Sequence, residues 1–585
     1  MSESRRARSA ATHSLLNCYL RETDTHRLRP VAETPLDRDA EAVAVIEVPT
    51  RNVTLLAALT YVSPTGRHRF DLPVVAATGA GEHRPCSVVE LATMLGSALG
   101  DTRQQAGSLA ELVQHVVEST RAIERFLTAR EEPPTVAGQS FRETEQSLVF
   151  GHQFHPTPKS RCGIAPHERD RYAPEREGSF ALDYFSVDPD LVTQESATDR
   201  STAELVGSLL RDDPAVSDAF VETHVDRDRV LVPVHPWQAD YLRSQSFVRD
   251  RLGAGIEYHE SVGSPFYPTS SVRTLYSPDA PFMVKGSLHV RITNSTRVNK
   301  ARELDRGVAI SELLDTDLGQ SLEAQFPAFE VVRDPAYITV DVGPGAESGF
   351  ETILRENPFR GDLAARSTPV VALCQDGIDG TSRLQRHIEH LADREGRTTA
   401  QVSEAWFQRY LDVVVRPVCW LYLDWGLGLE AHQQNTVVAL DEAGYPDRGF
   451  YRDNQGFFFP ESRYDRLDAL LPGVGERCDT VRADALTDEA IEYYVFINNV
   501  FGVVNAFGRA GLIDERRLLT QLRATLDSLR DHDHAESDLL GRLLDSDRLT
   551  CKANLLMRFH DVDELTGSVE SQIVTTAIDN PLADV

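Results

Sequence analysis

The segment 282–293 alternates apolar and polar side chains with a period of two residues, a pattern that an extended strand satisfies and a helix does not. One set is aliphatic and is expected to face the core: Val284, Leu288, Val290 and Ile292. The other set is polar and is expected to face away from it: Lys285, Ser287, His289, Arg291 and Thr293. The fold must therefore contain a sheet with one buried face.

Helical periodicity dominates other parts of the chain. Apolar residues recur at helical spacing over 108–130 and again over 398–429, and further helices are expected to about residue 530. Between them, residues 141–300 alternate short strands with Gly/Pro turns, and 436–452 has the pattern of a β-hairpin. The sequence predicts an α+β fold. Its 585 residues suggest three or four structural units, with a boundary at Glu131–Pro134.

No segment has the length and polarity of a membrane span. The closest, Tyr410–Leu429, is interrupted by Asp412, Arg416 and Asp424 and reads as a buried helix. Arg5 and Arg6 precede an apolar stretch that is too short and too polar for a signal sequence. We expect a cytoplasmic protein without a membrane partner.

The charge is strongly acidic, with 90 acidic and 60 basic residues and a net charge of −30, which excludes a nucleic-acid partner. Only four of the basic residues are lysines, and the rest are arginines. An acidic, lysine-poor composition is typical of a salt-rich cytosol, and a GC-rich genome that favours arginine codons is the alternative. The seven cysteines are scattered without a CxxC pair, so neither a disulfide framework nor a zinc knuckle is indicated.

A first polar cluster lies in the sequence GHQFHPTPKSRCG, residues 151–163. His152 and His155 are spaced as a metal pair on a helix would be, but Pro156 and Pro158 make the segment a rigid loop. A loop that carries histidine, Lys159 and arginine suits an anionic ligand. A zinc ligand pair and a solvent-exposed basic turn are the alternatives.

A second cluster is a hairpin formed by 270–276 and 282–293. With Tyr276 opposite Phe282, Arg273 lies opposite Lys285. Like charges directly across two strands repel each other, so the arrangement indicates an anion such as a polyphosphate between them. Further side chains would complete an anion clamp: Ser271, Thr274 and Arg297. The alternative is a solvated strand face.

Three further clusters are less specific. VPVHPWQ, 232–238, predicts a strand that ends at His235 and a helix that starts with proline, either a ligand corner or a structural one. AHQQN and YRDNQG place Asn435 and Asp453 at the two ends of a hairpin, as in kinase-like ATP sites with Mg²⁺, and His432 stands near the place of the kinase base. In 551–558, Lys552 and Arg558 would share one face of a strand.

Together these motifs resemble the IucA/IucC family, the siderophore synthetases that work without a nonribosomal peptide synthetase. The matching motifs are GHQFHPTPKSRCG, VPVHPWQ, SVRT followed by KGSL, AHQQN and YRDNQG, in the family's order. The resemblance implies a thumb–fingers–palm architecture with a central ATP and acid cleft. We accordingly expect a mainly helical thumb over 1–140, fingers with the triphosphate-binding hairpin over 141–390, and a palm with C-terminal helices over 391–585.

The resemblance also implies a reaction. ATP would adenylate a carboxylic acid, usually citrate or a citrate monoamide, and an amine or hydroxylamine would then displace AMP to form an amide. The implied cofactors are ATP and Mg²⁺, the implied partners are the small-molecule acid and a polyamine or hydroxamate amine, and a homodimer is expected. The C-terminal region resembles the ferric-reductase-like tail of the family but lacks a cysteine pair for an iron–sulfur cluster, so we assign it no redox role.

Residue roles follow from the same resemblance. The nucleotide-binding residues would be Ser271, Arg273, Thr274, Lys285, Arg297, His432, Asn435 and Asp453. Asn435 and Asp453 would hold the metal. The acid-binding residues would be His155, Lys159, Arg297, His432, Lys552 and Arg558. The residues expected to act in catalysis are Arg297, His155, His432 and Lys285.

Two other function classes stay open at this stage. A kinase-like phosphotransferase would use the same Asn435 and Asp453 but release ADP. A non-catalytic protein that binds a siderophore or a nucleotide would turn over no ATP. The lysines add a further expectation: three of the four fall inside these clusters, while Lys300 falls just outside them.

Overall fold

The computed structural model of the chain describes residues 2–79, 81–100, 105–130, 140–225, 227–342, 347–453, 455–532, 537–561 and 574–585. Helices and sheets are mixed along these residues, which confirms the predicted mixture of the two. No helix among them is both long and apolar enough to cross a bilayer.

An antiparallel sheet of eight strands occupies the middle of the chain. Its strands, in spatial order, are Val192–Ser196, Ala336–Val340, Thr352–Glu356, Phe282–Gly286, Thr274–Tyr276, Ile256–Pro268, Phe180–Val187 and Val230–Val234. Aliphatic and aromatic side chains of these strands and of the adjacent helices fill the core on the faces of the sheet.

The N-terminal region forms a sheet of its own. Five antiparallel strands follow each other in chain order: His26–Arg29, Ala42–Val48, Val53–Tyr61, Arg69–Thr78 and His83–Pro85. The helices Glu3–Glu22, Val88–Leu99 and Gln105–Thr128 pack with it around one hydrophobic core. The last of these helices confirms the periodicity over 108–130. The predicted boundary at Glu131–Pro134 lies outside the described residues.

Smaller sheets connect the remaining parts. One contains Phe329–Val332, Pro446–Arg452, Thr436–Leu440 and Ser367–Pro369. The others contain Ser295–Arg297, Leu288–Ile292 and Arg161–Cys162; Gly428–Leu429, Phe457–Pro460 and Val481–Arg482; and Arg548–Lys552 with Thr575–Asp579. The strands Thr436–Leu440 and Pro446–Arg452 confirm the predicted hairpin.

The C-terminal half is largely helical. Thr399–Tyr410, the π-helical segment Leu411–Val415 and Arg416–Trp425 follow one another without a break, which confirms the predicted buried helix. The other helices after residue 140 are Phe141–Gln146, Pro166–Tyr172, Thr202–Asp212, Asp218–Phe220, Pro236–Ser244, Ser246–Arg249, Ala301–Leu313, Asp317–Gln325, Asp362–Arg366, Val370–Cys374, Arg383–Glu395, Tyr464–Leu470, Val474–Cys478, Asp484–Ile491, Phe501–Arg509, Glu515–Asp527, Leu539–Asp545 and Asn554–Phe559, with π-helical segments at Val221–Val225 and Glu492–Val500.

The alternating segment 282–293 is not one strand. It breaks at Ser287, so that Phe282–Gly286 belongs to the eight-stranded sheet and Leu288–Ile292 to a three-stranded one. The predicted register is also wrong by one residue, because Thr274, and not Arg273, pairs with Lys285. Arg273 directly precedes the strand Thr274–Tyr276, its carbonyl still accepts the N–H of Gly286 at 3.2 Å, and its guanidinium contacts Asn299.

Two of the expected unit boundaries, at residues 140 and 390, can be compared with the bounds of the helices. Residue 140 directly precedes the helix Phe141–Gln146, while residue 390 falls inside the helix Arg383–Glu395. The four-stranded sheet takes strands from both sides of residue 390. The division into three units stays a prediction.

Trp406 generates a stability prediction. Its side chain is fully buried beside Tyr410 and Phe507, and its indole Nε1 has no hydrogen-bond partner among the described residues. Trp406→Ala should lower the free energy of unfolding by about 3–5 kcal/mol because it leaves a cavity. Trp406→Phe should cost clearly less, since it keeps one ring and removes the unpaired N–H. Urea unfolding followed by circular dichroism measures both. Equal losses for the two variants would contradict the cavity explanation.

Candidate active site

One deep cleft, of about 1160 Å³, gathers most of the polar clusters that the sequence singles out. Its walls come from the segments 148–161, 269–306, 430–455 and 458–502, with single contributions from elsewhere. All four lysines of the chain line it: Lys159, Lys285, Lys300 and Lys552. Lys300, which lies just outside the sequence clusters, therefore lines the cleft as well, where it is ion-paired with Glu347 at 2.9 Å.

The cleft contains an ion pair between a strand of one sheet and the residue that follows a strand of another. Lys285 Nζ lies 3.0 Å from Asp453 Oδ1, and Asn435 Nδ2 donates to Asp453 Oδ2 at 3.3 Å. Asn435 precedes one strand of the 436–452 hairpin and Asp453 follows the other, so the antiparallel pairing brings the two side chains together. Three residues that the sequence analysis assigned to ATP and its metal are thus in contact, with Asp453 bonded to both of the others.

Burial changes the acid–base behaviour of Lys285. The side chain is only 4% exposed, and its desolvation lowers the pKa of the ammonium to about 8. The negative charge of Asp453 acts in the other direction and raises this pKa, but by less. Arg355 and Arg273 add to the lowering because they carry the same charge. An anionic ligand at this place would oppose the desolvation and favour the ammonium form.

Two arginines lie next to this pair. Arg273 Nη1 donates to Asn299 Oδ1 at 2.6 Å, and Arg297 Nη2 donates to the carbonyl of Ile292 at 3.1 Å. Burial and the neighbouring Arg297 lower the pKa of Arg273 to about 10. Such a concentration of like charge is costly without an anion, which fits the predicted clamp.

The turn before Arg273 adds polar groups to the same wall. Ser271 Oγ accepts the backbone N–H of Thr274 at 3.1 Å and lies 3.1 Å from the hydroxyl of Thr269. Val272 between them has a φ of 70°, the left-handed region, which turns the chain sharply into the strand. Ser271 and Thr274 both line the cleft, as the sequence analysis proposed.

His432 lies beside the central ion pair. Its Nδ1 accepts the backbone N–H of Asn435 at 3.2 Å, and its Nε2 lies 3.7 Å from Glu430 Oε1. Burial lowers the pKa of this imidazole to about 4, so it is neutral at pH 7. A neutral imidazole with its Nδ1 fixed by the backbone presents Nε2–H to the cleft as a hydrogen-bond donor.

His155 is placed differently from the expectation. It is 3% exposed and does not line the cleft; its Nδ1 accepts the N–H of Thr157 and its Nε2 lies 3.1 Å from Asn294 Oδ1. His152, whose ring centroid is 6.4 Å away, lines the cleft instead. Burial lowers the pKa of His152 to about 3. Sequence reasoning missed this residue as a site group, although it stands in the same motif.

Lys159 borders the cleft but its ammonium is already engaged. Its Nζ lies 2.5 Å from Glu175 Oε1, and Arg161 Nη2 lies 2.6 Å from the same oxygen. The segment is buried, which rules out the solvent-exposed basic turn. Neither of the two His/Cys/Asp/Glu groups spaced to hold a metal, among the residues described, includes His152 or His155.

The residues near the C-terminus do not share a strand face. Lys552 ends the strand Arg548–Lys552, with its Nζ 6.0 Å from the ring centroid of Tyr494 in the cleft. Arg558 lies in the helix Asn554–Phe559, and its guanidinium contacts His115 Nε2 at 2.7 Å outside the cleft lining. The prediction that the two residues lie on one strand face is wrong, because the chain turns into a helix at Asn554.

Two buried arginines of the site had no specific signal in the sequence. Arg355 forms a bidentate pair with Asp334 and lies 3.9 Å from Asp453. Arg452 pairs with Glu145 under the cleft. Arg452 directly precedes Asp453 in the YRDNQG motif, which could have drawn attention to it; Asn454 of that motif lies outside the described residues. His235 caps the helix Pro236–Ser244 and is buried away from the cleft, a structural corner.

Comparison with known proteins assigns the chain to a family. The IucA / IucC family matches residues 140–375. A spermidine-citrate ligase of Bacillus anthracis is 40% identical over 591 residues, which cover 98% of each chain. The chain belongs to the IucA/IucC family. It is an enzyme of the ligase class, as its relatives are.

Other relatives of this IucA/IucC family member extend over its whole length. An N(2)-citryl-N(6)-acetyl-N(6)-hydroxylysine synthase of Escherichia coli is 31% identical and covers 98% of each chain. The ATP-bound aerobactin synthetase IucA of Klebsiella pneumoniae superimposes with a TM-score of 0.87 at 29% identity, over 98% of this chain and 99% of that one. Residues 404–567 also match the ferric iron reductase FhuF-like transporter family. The cysteines of that stretch are buried and unpaired: Cys419, Cys478 and Cys551.

The lowered pKa of Lys285 generates a prediction for this family member. The anion-binding ammonium is present below pH 8 and is lost as the pH rises through its pKa of about 8. The value of kcat/KM for ATP should therefore fall above about pH 8, because this parameter reports the free enzyme. Lys285→Arg should remove this fall between pH 7.5 and 9.5, since guanidinium keeps its charge.

The same variant should lose on the order of 10²-fold in kcat/KM at pH 7, because a planar guanidinium does not fit a compact anion site. Arg517→Lys, an exchange in an exposed ion pair with Glu404, is the matched control and should leave both values unchanged. Wild-type activity of Lys285→Arg at pH 7 would contradict the assignment of Lys285 to the anion.

Proposed function

We propose that the protein is an ATP-dependent siderophore synthetase that joins citrate, or a citrate monoamide, to an amine. The acid is first adenylated, and the amine then displaces AMP to form an amide. The names of the relatives support this, since both the Bacillus anthracis and the Escherichia coli proteins are described as joining citrate to an amine-bearing substrate. The ATP-bound state of the Klebsiella pneumoniae structure supports ATP as the co-substrate.

The observation that carries the proposal is the cationic centre around Asp453. Lys285, Arg273 and Arg297 line a single cleft, where Lys285 and Arg273 are buried and Arg297 is half-buried. Attack of a carboxylate on a phosphate brings two anions together, so the site must supply positive charge before they meet. The polar turn with Ser271 and Thr274 adds hydrogen-bond donors for the triphosphate.

A magnesium ion fits the residues at this centre. Asp453 offers a carboxylate and Asn435 an amide oxygen, the hard ligands that Mg²⁺ prefers. The two side chains are adjacent beside Lys285, with Asn435 Nδ2 donating to Asp453 Oδ2 at 3.3 Å. We assign Asn435 and Asp453 to the metal, which would neutralise the charge on the departing pyrophosphate.

The acid occupies the part of the cleft that Arg297, His432 and Lys552 border. A carboxylate oxygen of the acid attacks the α-phosphorus, and the bond to the pyrophosphate oxygen breaks. Neutral His432 donates from Nε2 and orients the acid, while the cations of Arg297 and Lys552 bind its other carboxylates. The uncharged nitrogen of the amine then attacks the acyl carbon, and AMP leaves with the electron pair of the broken C–O bond.

The other assigned residues act at a greater distance. His155 supports the loop through Asn294 and the ring of His152, so we assign it a positioning role. Lys159 contributes a positive charge to the cleft wall. Its ammonium and the guanidinium of Arg161 both pair with the carboxylate of Glu175. Arg558 lies outside the lining and supports the wall through His115.

Several properties of the assembly follow as part of the proposal. Thumb, fingers and palm units enclose the cleft, with the palm sheet including strands before residue 391. The protein works in the cytoplasm as a homodimer, in a salt-rich cytosol that suits its charge of −30. Gel filtration at high and low KCl tests the dimer and its dependence on salt.

An exchange assay tests the adenylation step without any amine. With ATP, Mg²⁺ and radiolabelled pyrophosphate in high-KCl buffer, citrate should support exchange of label into ATP, because adenylation is reversible. Succinate and 2-oxoglutarate should support less, since each lacks both the third carboxylate and the hydroxyl of citrate. Absence of exchange with all three acids would refute the adenylation of a small carboxylic acid.

Asp453→Ala tests the metal assignment. The exchange rate should fall by about 10²-fold or more, because the ligand of the metal and the partner of Lys285 are both lost. The thermal midpoint should fall as well, because the buried ammonium of Lys285 loses its partner, while circular dichroism should still show the helix and sheet content of the wild type at the assay temperature. Asp447→Ala, in the same hairpin but exposed and paired with Arg366, is the matched control. Near-normal exchange by Asp453→Ala at saturating Mg²⁺ would remove Asp453 from the metal site.

A further inference from the structure

Two groups of side chains in the described part of the chain have the spacing of a metal site, and no member of either group lines the cleft. The first group is His115, Glu118 and Cys162, and the second is His224, Glu257 and His259. In each group, the ligand atoms all lie within 4.8 Å of one another. Their chemistry is therefore separate from that of ATP and the acid.

The first group is unsuited to a cation. Both ring nitrogens of His115 are engaged, because Nδ1 donates to the carbonyl of Glu111 at 2.8 Å and Nε2 lies 2.7 Å from Arg558 Nη2. Burial lowers the pKa of this imidazole, and the positive charges of Arg558 and Arg291 lower it further. The guanidinium that opposes a proton on this ring opposes a metal ion there as well.

The second group is built on the eight-stranded sheet. Glu257 and His259 are two residues apart in the strand Ile256–Pro268, so their side chains project from the same face of the sheet. His224 comes from the π-helical segment Val221–Val225, which lies over that face, and its ring centroid is 4.3 Å from that of His259. The group therefore joins a helical segment to the sheet that it covers.

A serine on the neighbouring strand orients His259. Ser186 lies opposite Glu257 in the antiparallel register, and its hydroxyl is 2.8 Å from His259 Nε2. With Nε2–H donated to this oxygen, Nδ1 carries the lone pair, the arrangement in which a metal-binding histidine is usually held. The side chains of His224 and Glu257 make no hydrogen bond or ion pair with any residue that the structure describes. Their ligand atoms are thus available.

The electrostatics of the second group also differ from those of the first. Burial lowers the pKa of His259, the neighbouring His224 lowers it further, and Glu257 raises it. Neither lysine nor arginine acts on this imidazole among the residues described. The two histidines are half-buried and the glutamate is exposed. The group therefore offers two neutral imidazoles and one negative charge at pH 7.

Two imidazoles and a carboxylate select the class of metal. Imidazole nitrogen suits Zn²⁺ and its neighbours in the first transition row, whereas Mg²⁺ and Ca²⁺ prefer oxygen ligands alone. Zinc holds such nitrogen and oxygen atoms at about 2.0–2.2 Å, which places the ligand atoms roughly 3.3–3.5 Å from one another in a tetrahedral site. Small rotations of the side chains close the present separations to that distance.

We propose that His224, Glu257 and His259 form a binding site for one divalent transition-metal ion of the zinc class, with water completing the coordination. The ion fastens the segment Val221–Val225 to the strand Ile256–Pro268 and stabilises the folded chain. It lies outside the cleft and takes no part in the reaction. The inference goes beyond the proposed function and does not depend on it.

Metal titration of the full chain tests the site. The protein, without a polyhistidine tag and stripped of metal by a chelator, is kept in excess Mg²⁺ so that the oxygen ligands of Asn435 and Asp453 are occupied. Calorimetry with Zn²⁺ should show one ion bound per chain at micromolar concentration, and Co²⁺ should give the visible absorption of a site with nitrogen ligands. Zn²⁺ should also raise the thermal midpoint, because only the folded chain assembles the three ligands.

Glu257→Gln and His259→Ala should each weaken Zn²⁺ binding by at least about tenfold and remove the rise of the thermal midpoint, because each loses one ligand. Glu257→Gln keeps the shape of an exposed side chain, so without metal its circular dichroism and its citrate-dependent exchange should equal those of the wild type. His390→Ala is the matched control: this exposed histidine lies in the helix Arg383–Glu395, outside both groups, and its loss should leave the affinity unchanged.

Three results would overturn the inference. The first is a wild-type chain that binds no Zn²⁺ at micromolar concentration. The second is wild-type affinity in both Glu257→Gln and His259→Ala. The third is binding that Cys162→Ser removes and Glu257→Gln does not, which would assign the ion to the first group.

Discussion

The buried ion pair between Lys285 and Asp453 holds the site together, because its two members come from different sheets. Lys285 belongs to the eight-stranded sheet and Asp453 follows a strand of the four-stranded one. A buried charge that loses its partner is strongly destabilising, so each sheet constrains the position of the other. The pair thereby fixes the distance between the clamp of Arg273 and Arg297 and the hairpin that carries Asn435.

The same constraint explains how the cleft keeps so much positive charge in a protein whose net charge is −30. All four lysines line the cleft, and Lys159, Lys285 and Lys300 are ion-paired with Glu175, Asp453 and Glu347. An anionic substrate therefore competes for the ammonium groups of these lysines with the protein's own carboxylates rather than with water. Binding of the triphosphate would release Asp453 from Lys285 and leave it for the metal.

Sequence patterns predicted the helices and the hairpin well, because their periodicities depend on local geometry. The helix over 399–425 and the strands of the 436–452 hairpin lie where the apolar spacing places them. The register of Arg273 was wrong because it assumed that Tyr276 lies opposite Phe282, whereas the connection 277–281 pairs Thr274 with Lys285, and the conformation of such a turn has no simple pattern in the sequence. Arg558 was misplaced because the change from strand to helix at Asn554 leaves no strong signal.

The candidate site was predicted only in part for a related reason. Lys285, Asn435 and Asp453 were found because their motifs adjoin strand ends, where side chains converge. His152 and Arg355 could not be found in that way. Their roles depend on which surfaces face one another across the cleft, and no short segment of sequence contains that information.

The central claim is that the α-phosphate, and not the γ-phosphate, receives the acid. Phosphorus NMR of a complete reaction with ATP, Mg²⁺, citrate and a diamine in high-KCl buffer measures this directly. The cationic centre around Asp453 predicts AMP and pyrophosphate in equal amounts, formed together with the amide. ADP and inorganic phosphate as the products would contradict the account and favour a phosphotransferase with the same Asn435 and Asp453.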